Sequence, residues 1–185
     1  MRVSALVTLV AATLCYVVPS PASAMGTAFY HLADSNDEAL KYELARSLAI
    51  ELLGNARGLA TATESLATEA ARNLASARFV VAADAEADRQ CAQVAASLFV
   101  LQTVPNTIYV CADTRWHVLN EPDPVTVLAQ GFIHEAVHLA GITDECEATK
   151  LELLVMGRDV TSFANFHRYS KQCNGLLDTR ATKRR

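Results

Sequence analysis

The sequence lacks three features, and each absence argues against a class of protein. It contains no Cys-x-x-Cys pair, which argues against a cysteine-ligated structural metal site. Its 16 basic and 20 acidic residues give a formal net charge of −4, so it lacks the positive excess typical of nucleic-acid-binding proteins. The apolar run at residues 3–18 is shorter than the roughly 20 residues that span a bilayer.

The same apolar run is typical of a secretory signal peptide. It follows a single basic residue, Arg2, and is followed by two prolines and the small-residue sequence Ala-Ser-Ala, so we expect cleavage after Ala24. A lipoprotein signal is not indicated, because Leu14 stands before Cys15 where such signals have a small residue. The sequence therefore predicts a secreted or periplasmic protein.

Cleavage would leave a chain of single-domain length. The predicted signal peptide takes residues 1–24 of the 185, which leaves 161 for one domain over residues 25–185. The formal net charge becomes −5, because the removed segment contains one arginine and no acidic residue. We expect this chain to be a monomer with no nucleic-acid partner and no stable membrane anchor.

The cysteines of the mature chain predict disulfides. Cys15 is lost with the signal peptide, and Cys91, Cys111, Cys146 and Cys173 remain. An even number of cysteines in an oxidising compartment suggests two disulfides, for which three pairings exist. Sequence proximity favours Cys91 with Cys111 and Cys146 with Cys173.

Two helices are predicted at the start of the mature chain. Ser35 with Glu38 three residues later is a capping-box signature for the first, which should end at Gly54. Leucines recur within it at a spacing of four, at Leu40, Leu44, Leu48 and Leu52. A second helix is expected at about 59–77, and the two should pack as an antiparallel pair.

Three short runs rich in β-branched and other apolar residues follow these helices. They occupy residues 78–81, 98–101 and 107–111, and the last is the best strand candidate in the sequence. A small sheet of about three strands is expected. Helices and a small sheet together predict the α+β class.

The next predicted helix spans residues 124–140. Asp123 is a suitable N-cap, Pro124 a suitable first helical residue, and Gly141 a suitable left-handed residue just after the helix. The helix is apolar on nearly all sides, which predicts that it lies inside the domain.

This helix contains the pentapeptide His134-Glu135-Ala136-Val137-His138. Residues four apart lie on one helical face, about 6 Å from each other, so both imidazoles can bind one metal. Buried histidines need polar partners, and a metal provides one for both. Glu135 lies about a quarter-turn away, where it can take a proton from a metal-bound water without being a ligand. Gly131 should leave room for another backbone or a substrate.

A catalytic zinc needs a third protein ligand, and two residues compete for this role. Asp144 stands where zinc endopeptidases with a His-x-x-x-His-x-x-Gly-x-x-Asp pattern place theirs. Glu145 opens a Glu-x-x-Ala sequence similar to the third-ligand helix of glutamate zincins. Asp144 with Glu147 three residues later forms a capping box, which favours Asp144 as a helix cap and Glu145 as the ligand. Glu147 is a third candidate.

Residues 107–156 resemble the core of a zincin metallopeptidase, with a strand, the His-Glu-x-x-His helix, a glycine turn and an acidic helix. The resemblance is to the glutamate-ligand branch and to small secreted bacterial peptidase-like domains. It implies a zincin-like fold in which His134, His138 and Glu145 hold Zn²⁺. It also implies that Glu135 is the general base in the hydrolysis of peptide or protein substrates.

In such families the substrate lies along an edge strand above the metal. The resemblance implies that this edge is the strand at 107–111 or the strand at 78–81. The residue that braces a histidine also stays open. In glutamate zincins an aspartate that follows Ala in the third-ligand helix often has this role, but Thr149 follows Ala148 here. Asp113 and Asp159 are the remaining candidates for it.

The donor for the oxyanion is also open. The candidates are Tyr109, His117, His167 and Tyr169. Because the residue that braces a histidine and the oxyanion donor are both unidentified, a second hypothesis is favoured, a non-catalytic exported domain that binds zinc or a protein. A third hypothesis is a metal-dependent hydrolase of another amide, such as a peptidoglycan cross-link.

Overall fold

The computed structural model describes residues 35–82, 89–92, 98–111, 118–157 and residue 173. The predicted signal peptide lies outside these residues. The described elements are, in order, α1 (Asn36–Gly54), α2 (Thr61–Ser76), β1 (Arg78–Val81), β2 (Leu98–Val100), β3 (Thr107–Val110), α3 (Pro124–Leu139) and α4 (Glu145–Met156). The predicted α+β class is confirmed, and none of the described helices is long and apolar enough to cross a membrane.

The start of α1 agrees with its capping signature. Ser35 Oγ accepts a hydrogen bond from the Glu38 backbone N–H at 3.2 Å. The buried apolar side of the helix, however, is formed by three alanines, Ala39, Ala45 and Ala49, together with Tyr42 and Leu53. These residues allow α1 to pack closely against α2 and α3.

The leucine stripe of α1 is not its buried face. Leu40 and Leu44 are 53% and 49% exposed, whereas Leu48 and Leu52 are partly buried against the core. The reason is geometric: with 3.6 residues per turn, a spacing of four advances about 40° around the helix at each step. Residues spaced by four therefore do not stay on one side of the helix, and only part of the series faces the core.

The described sheet has the strand order β1-β3-β2. β1 pairs parallel with β3, with Phe79 opposite Ile108, and β2 pairs antiparallel with β3, with Leu98 opposite Val110. The expectation that the strand at 107–111 forms an edge is therefore wrong, because this strand is paired on both sides. β1 and β2 form the edges of the described sheet.

The two faces of the sheet have different partners. Phe79, Leu98, Ile108 and Val110 join the main core with the helices. On the opposite face Phe99 and Tyr109 stack with their ring centroids 4.9 Å apart, in a cluster that includes Cys111. The helices α1, α2 and α3 therefore pack on one face of the sheet.

Both predicted disulfide pairings are present. The Cα atoms of Cys91 and Cys111 are 5.7 Å apart, and those of Cys146 and Cys173 are 5.4 Å apart. The first disulfide joins residues 89–92 to the end of β3, on the sheet face opposite the helices. The second joins the first turn of α4 to residue 173.

Helix α3 lies at the centre of the core. It starts as predicted, since the Asp123 carboxylate accepts a hydrogen bond from the Thr126 N–H at 3.2 Å. Its Phe132 is fully buried, and its ring centroid lies 6.3 Å from that of Tyr42 in α1 and 5.5 Å from that of Phe79 in β1. Phe132 therefore links three elements of the fold.

Replacement of this ring tests the importance of the contact. We expect Phe132→Ala to lower the free energy of unfolding by about 3–5 kcal/mol, the usual effect of removing a buried phenylalanine. Leu154→Ala on α4 is the control, since Leu154 is 43% exposed and its loss should change stability by less than about 0.5 kcal/mol. Urea unfolding measures both, and similar losses in the two variants would contradict this account.

Candidate metal centre

The end of α3 is shaped by Gly141. This residue has φ +91°, and its N–H donates to the His138 carbonyl at 3.0 Å while the Ile142 N–H donates to the Val137 carbonyl at 3.3 Å. These two bonds form a Schellman motif, which ends the helix in a tight turn. The turn brings the Ile142 carbonyl to His138, whose Nδ1–H donates to it at 2.6 Å.

A side chain of α2 supports the same end of α3. Asn73 Nδ2 donates to the Leu139 carbonyl at 3.0 Å. This carbonyl belongs to the last helical residue and has no partner within the helix. The final turn of α3, which contains His138, is thus fixed both by its own turn and by α2.

At the start of α4, Asp144 and Glu145 have different contacts. The Asp144 carboxylate accepts a hydrogen bond from the Glu147 N–H at 2.9 Å and acts as the N-cap, as its sequence position predicts. Glu147 is exposed, with its carboxylate 3.9 Å from Lys150 Nζ. Of the three acidic candidates, Glu145, the first residue of the helix, is the one whose carboxylate contacts both histidines.

His134, His138 and Glu145 form a compact set of donor atoms. His134 Nε2 lies 3.1 Å from His138 Nε2 and 3.0 Å from Glu145 Oε2, and His138 Nε2 lies 3.5 Å from Glu145 Oε1. Ligands of a tetrahedral zinc with Zn–N bonds near 2.0–2.1 Å are separated by about 3.3 Å. The separations of the three groups are thus of the size that a small divalent ion requires.

The outer ring nitrogens set the tautomers of both histidines. His134 Nδ1–H donates to Glu152 Oε2 at 3.0 Å, and His138 Nδ1–H donates to the Ile142 carbonyl. In neutral rings the Nε2 lone pairs then point toward each other and toward Glu145. Lone pairs this close repel unless a proton or a cation lies between them. The chemistry of these residues therefore fits a metal ion.

In the metal-free chain, protons rather than a metal ion lie between these closely spaced nitrogen and oxygen atoms. Burial favours the neutral ring of His134, but hydrogen bonds to Glu145 and Glu152 outweigh it and raise the pKa of His134 to about 10. Burial likewise opposes protonation of His138, but its bond to Glu145 raises the pKa of His138 above its usual range. The bonds to the two histidines hold the pKa of Glu145 well below that of an ordinary glutamate.

Glu135 has different surroundings from those of the other carboxylates. It is 6% exposed, and burial together with nearby charges, rather than a hydrogen bond, sets its pKa. Burial raises the pKa of Glu135, although the nearby charges of His134 and His138 oppose this shift. A raised pKa moves a carboxylate toward the range in which it exchanges protons near neutral pH.

Glu152 and Gln130 complete the surroundings of His134 and were not predicted. Gln130 Nε2 donates to Glu152 Oε1, and the Glu152 side chain is 5% exposed. The signal in the sequence was the spacing: Glu152 follows Glu145 by seven residues, which places both on one helical face. Thr149, at the position where glutamate zincins have an aspartate, is buried, and its hydroxyl has no hydrogen-bond partner among the described residues.

Other residues predicted near the site are placed elsewhere or lie outside the described chain. Tyr109 is on the sheet face opposite α3, stacked on Phe99. The space at Gly131 contains the Leu98 side chain of β2, whose Cδ1 would be 3.1 Å from an added Cβ. The remaining candidates lie outside the described residues, namely Asp113, His117, Asp159, His167 and Tyr169.

No protein-family model matches this chain, and no curated protein or solved structure matches it either.

The turn after α3 gives a test with a matched control. A Cβ at Gly141 would meet no atom within 4 Å, so Gly141→Ala should act through the positive φ alone and lower the free energy of unfolding by about 1–2 kcal/mol. It should also weaken the binding of any metal ion at His138, because the Ile142 carbonyl would shift. Gly54→Ala, equally open but helical, should leave stability unchanged or raise it by up to about 1 kcal/mol. Urea unfolding measures both variants. If Gly54→Ala lowers the free energy of unfolding as much as Gly141→Ala does, the positive φ of Gly141 is not the cause.

The pH dependence of metal binding follows from the histidine pKa values. With a pKa near 10, His134 is protonated at neutral pH in the metal-free chain, so a metal ion must displace its proton. The affinity for a divalent metal ion such as zinc should therefore rise with pH, by about tenfold per pH unit for each proton released. Calorimetry in buffers of different ionisation enthalpy counts the protons, and an affinity that is constant or falls from about pH 6 to 8 would contradict the assignment.

Proposed function

We propose that this chain is an exported zinc metallopeptidase of the zincin type, in which His134, His138 and Glu145 hold Zn²⁺ and Glu135 is the general base. The observation that carries the proposal is the convergence of three donor groups, whose nearest atoms are 3.0–3.5 Å apart, beside a buried glutamate. Two imidazoles and one carboxylate are the ligand set of catalytic zinc in several peptidases.

The order of elements supports the zincin comparison. A strand, β3, is followed by α3 with the two histidines, the Gly141 turn and α4 with Glu145. Export is supported by the two disulfides, which persist in oxidising compartments, together with the predicted signal peptide at residues 1–24.

Each residue has a separate role in this proposal. A bound zinc would supply a Lewis acid that polarises a carbonyl oxygen and lowers the pKa of water. The Glu135 carboxylate would accept a proton from the attacking water and pass it to the departing amine nitrogen. Its raised pKa, which burial causes, suits both steps.

The proposed substrate is a peptide or protein that pairs with the edge of β2. This strand contacts α3 at Gly131, one turn before His134, and it is an edge of the described sheet. Main-chain pairing with an edge strand would place an extended peptide near the donor atoms without requiring a particular side chain.

One observation favours a second candidate function. His134 and His138 are each only 7% exposed, and such deeply buried imidazoles also suit a non-catalytic exported domain in which the ion holds α3 to α4. The two functions differ in whether Glu135 is needed for anything except packing.

The substitution Glu135→Gln distinguishes these candidates. It keeps the size of the side chain but removes the proton acceptor, so hydrolysis should fall by about 100-fold to 10,000-fold while zinc affinity is nearly unchanged. Glu121→Gln, at an exposed position before α3, is the control and should retain full activity. Turnover of a fluorogenic peptide library and zinc competition with a chelator give the two readouts.

Full activity of Glu135→Gln would show that the base is misassigned. Wild-type protein that binds zinc but hydrolyses no member of the library would favour the non-catalytic domain.

A further inference from the structure

His134 is contacted on both of its ring nitrogens by α4. Nε2 lies 3.0 Å from Glu145 Oε2, and Nδ1 lies 3.0 Å from Glu152 Oε2. The two glutamates are seven residues apart, which is about two turns or 10 Å along the helix. The imidazole fills the gap between them, so its orientation is set by a single helix.

Glu152 is in turn held by α3. Gln130 stands one turn before His134 on α3, and its Nε2 donates to Glu152 Oε1. Gln130, Glu152 and His134 therefore form a hydrogen-bonded chain that connects the two helices. We name this group the Gln130–Glu152–His134 relay.

The relay has one consistent assignment of protons. The NH₂ group of Gln130 only donates, so Glu152 Oε1 is an acceptor, and an ionised Glu152 also accepts at Oε2. His134 must then carry its proton on Nδ1 and present the Nε2 lone pair toward Glu145 and His138. His138, by contrast, donates to the neutral Ile142 carbonyl.

We propose that Gln130 and Glu152 are positioning residues for the metal ion: Gln130 orients Glu152, and Glu152 fixes the tautomer of His134 that binds the ion. The carboxylate that accepts from the outer ring nitrogen of His134 is thus Glu152, three residues after Thr149 on α4. The inference rests on the metal site of the proposed function but not on peptide hydrolysis.

The first test is Glu152→Gln. Gln130 still donates toward position 152, so the new amide turns its oxygen to Gln130 and its NH₂ group to His134 Nδ1, which favours the wrong tautomer. Zinc affinity should fall by about 10-fold to 100-fold. Glu147→Gln makes the same chemical change on an exposed part of α4, and its affinity should stay within about twofold of the wild type.

The double variant Gln130→Glu/Glu152→Gln separates orientation from charge. Here the amide at position 152 donates to the new carboxylate at position 130, and its oxygen accepts again from His134 Nδ1–H. Most of the lost zinc affinity should return. The relay is refuted if folded Glu152→Gln binds zinc like the wild type, or if the folded double variant binds no better than Glu152→Gln. Circular dichroism establishes folding.

A measurement on the unchanged chain covers the case in which the variants do not fold. In protein loaded with an NMR-active cadmium isotope, coupling to the imidazole of His134 should identify Nε2 as the ligand atom. Coordination through Nδ1 would overturn the proposal. Tight zinc binding without peptide hydrolysis would count against the peptidase alone, whereas full affinity of Glu152→Gln would count against the relay alone.

Discussion

The packing of α4 against α3 is the interaction on which the site depends. Helix α3 is buried over most of its length, yet it contains two histidines, a glutamate and a glutamine. Buried polar groups without partners would destabilise the domain by several kcal/mol in total. Glu145 and Glu152, on one face of α4, provide such partners for the two histidines and for Gln130, so contact between the two helices satisfies these groups.

Local features of this chain were readable from sequence. The caps Ser35, Asp123 and Asp144 each bond the backbone N–H three residues later, and Gly141 ends α3 in the left-handed conformation. Such motifs depend on a few adjacent residues, so a sequence specifies them directly. The donor set was predictable for the same reason, because all its members lie in one short segment.

Features that depend on packing between distant elements were not readable in this way. The leucine spacing of α1 indicated a helix but not which side faces α3, where alanines permit the close approach. The strand order required knowledge of which run forms the centre of the sheet. Glu152 could be placed on the face of Glu145, but its contact with His134 depends on how α3 and α4 cross.

The shortness of the Gly141 turn has a consequence for the assembly of the site. From His134 to Glu145 the chain spans only 12 residues, so the three donor groups lie on a compact helical hairpin. The chain entropy lost in bringing such close positions together is small compared with that of closing a long loop. The donor groups can thus meet at an early stage of folding, before the long-range packing of α1, α2 and the sheet is complete.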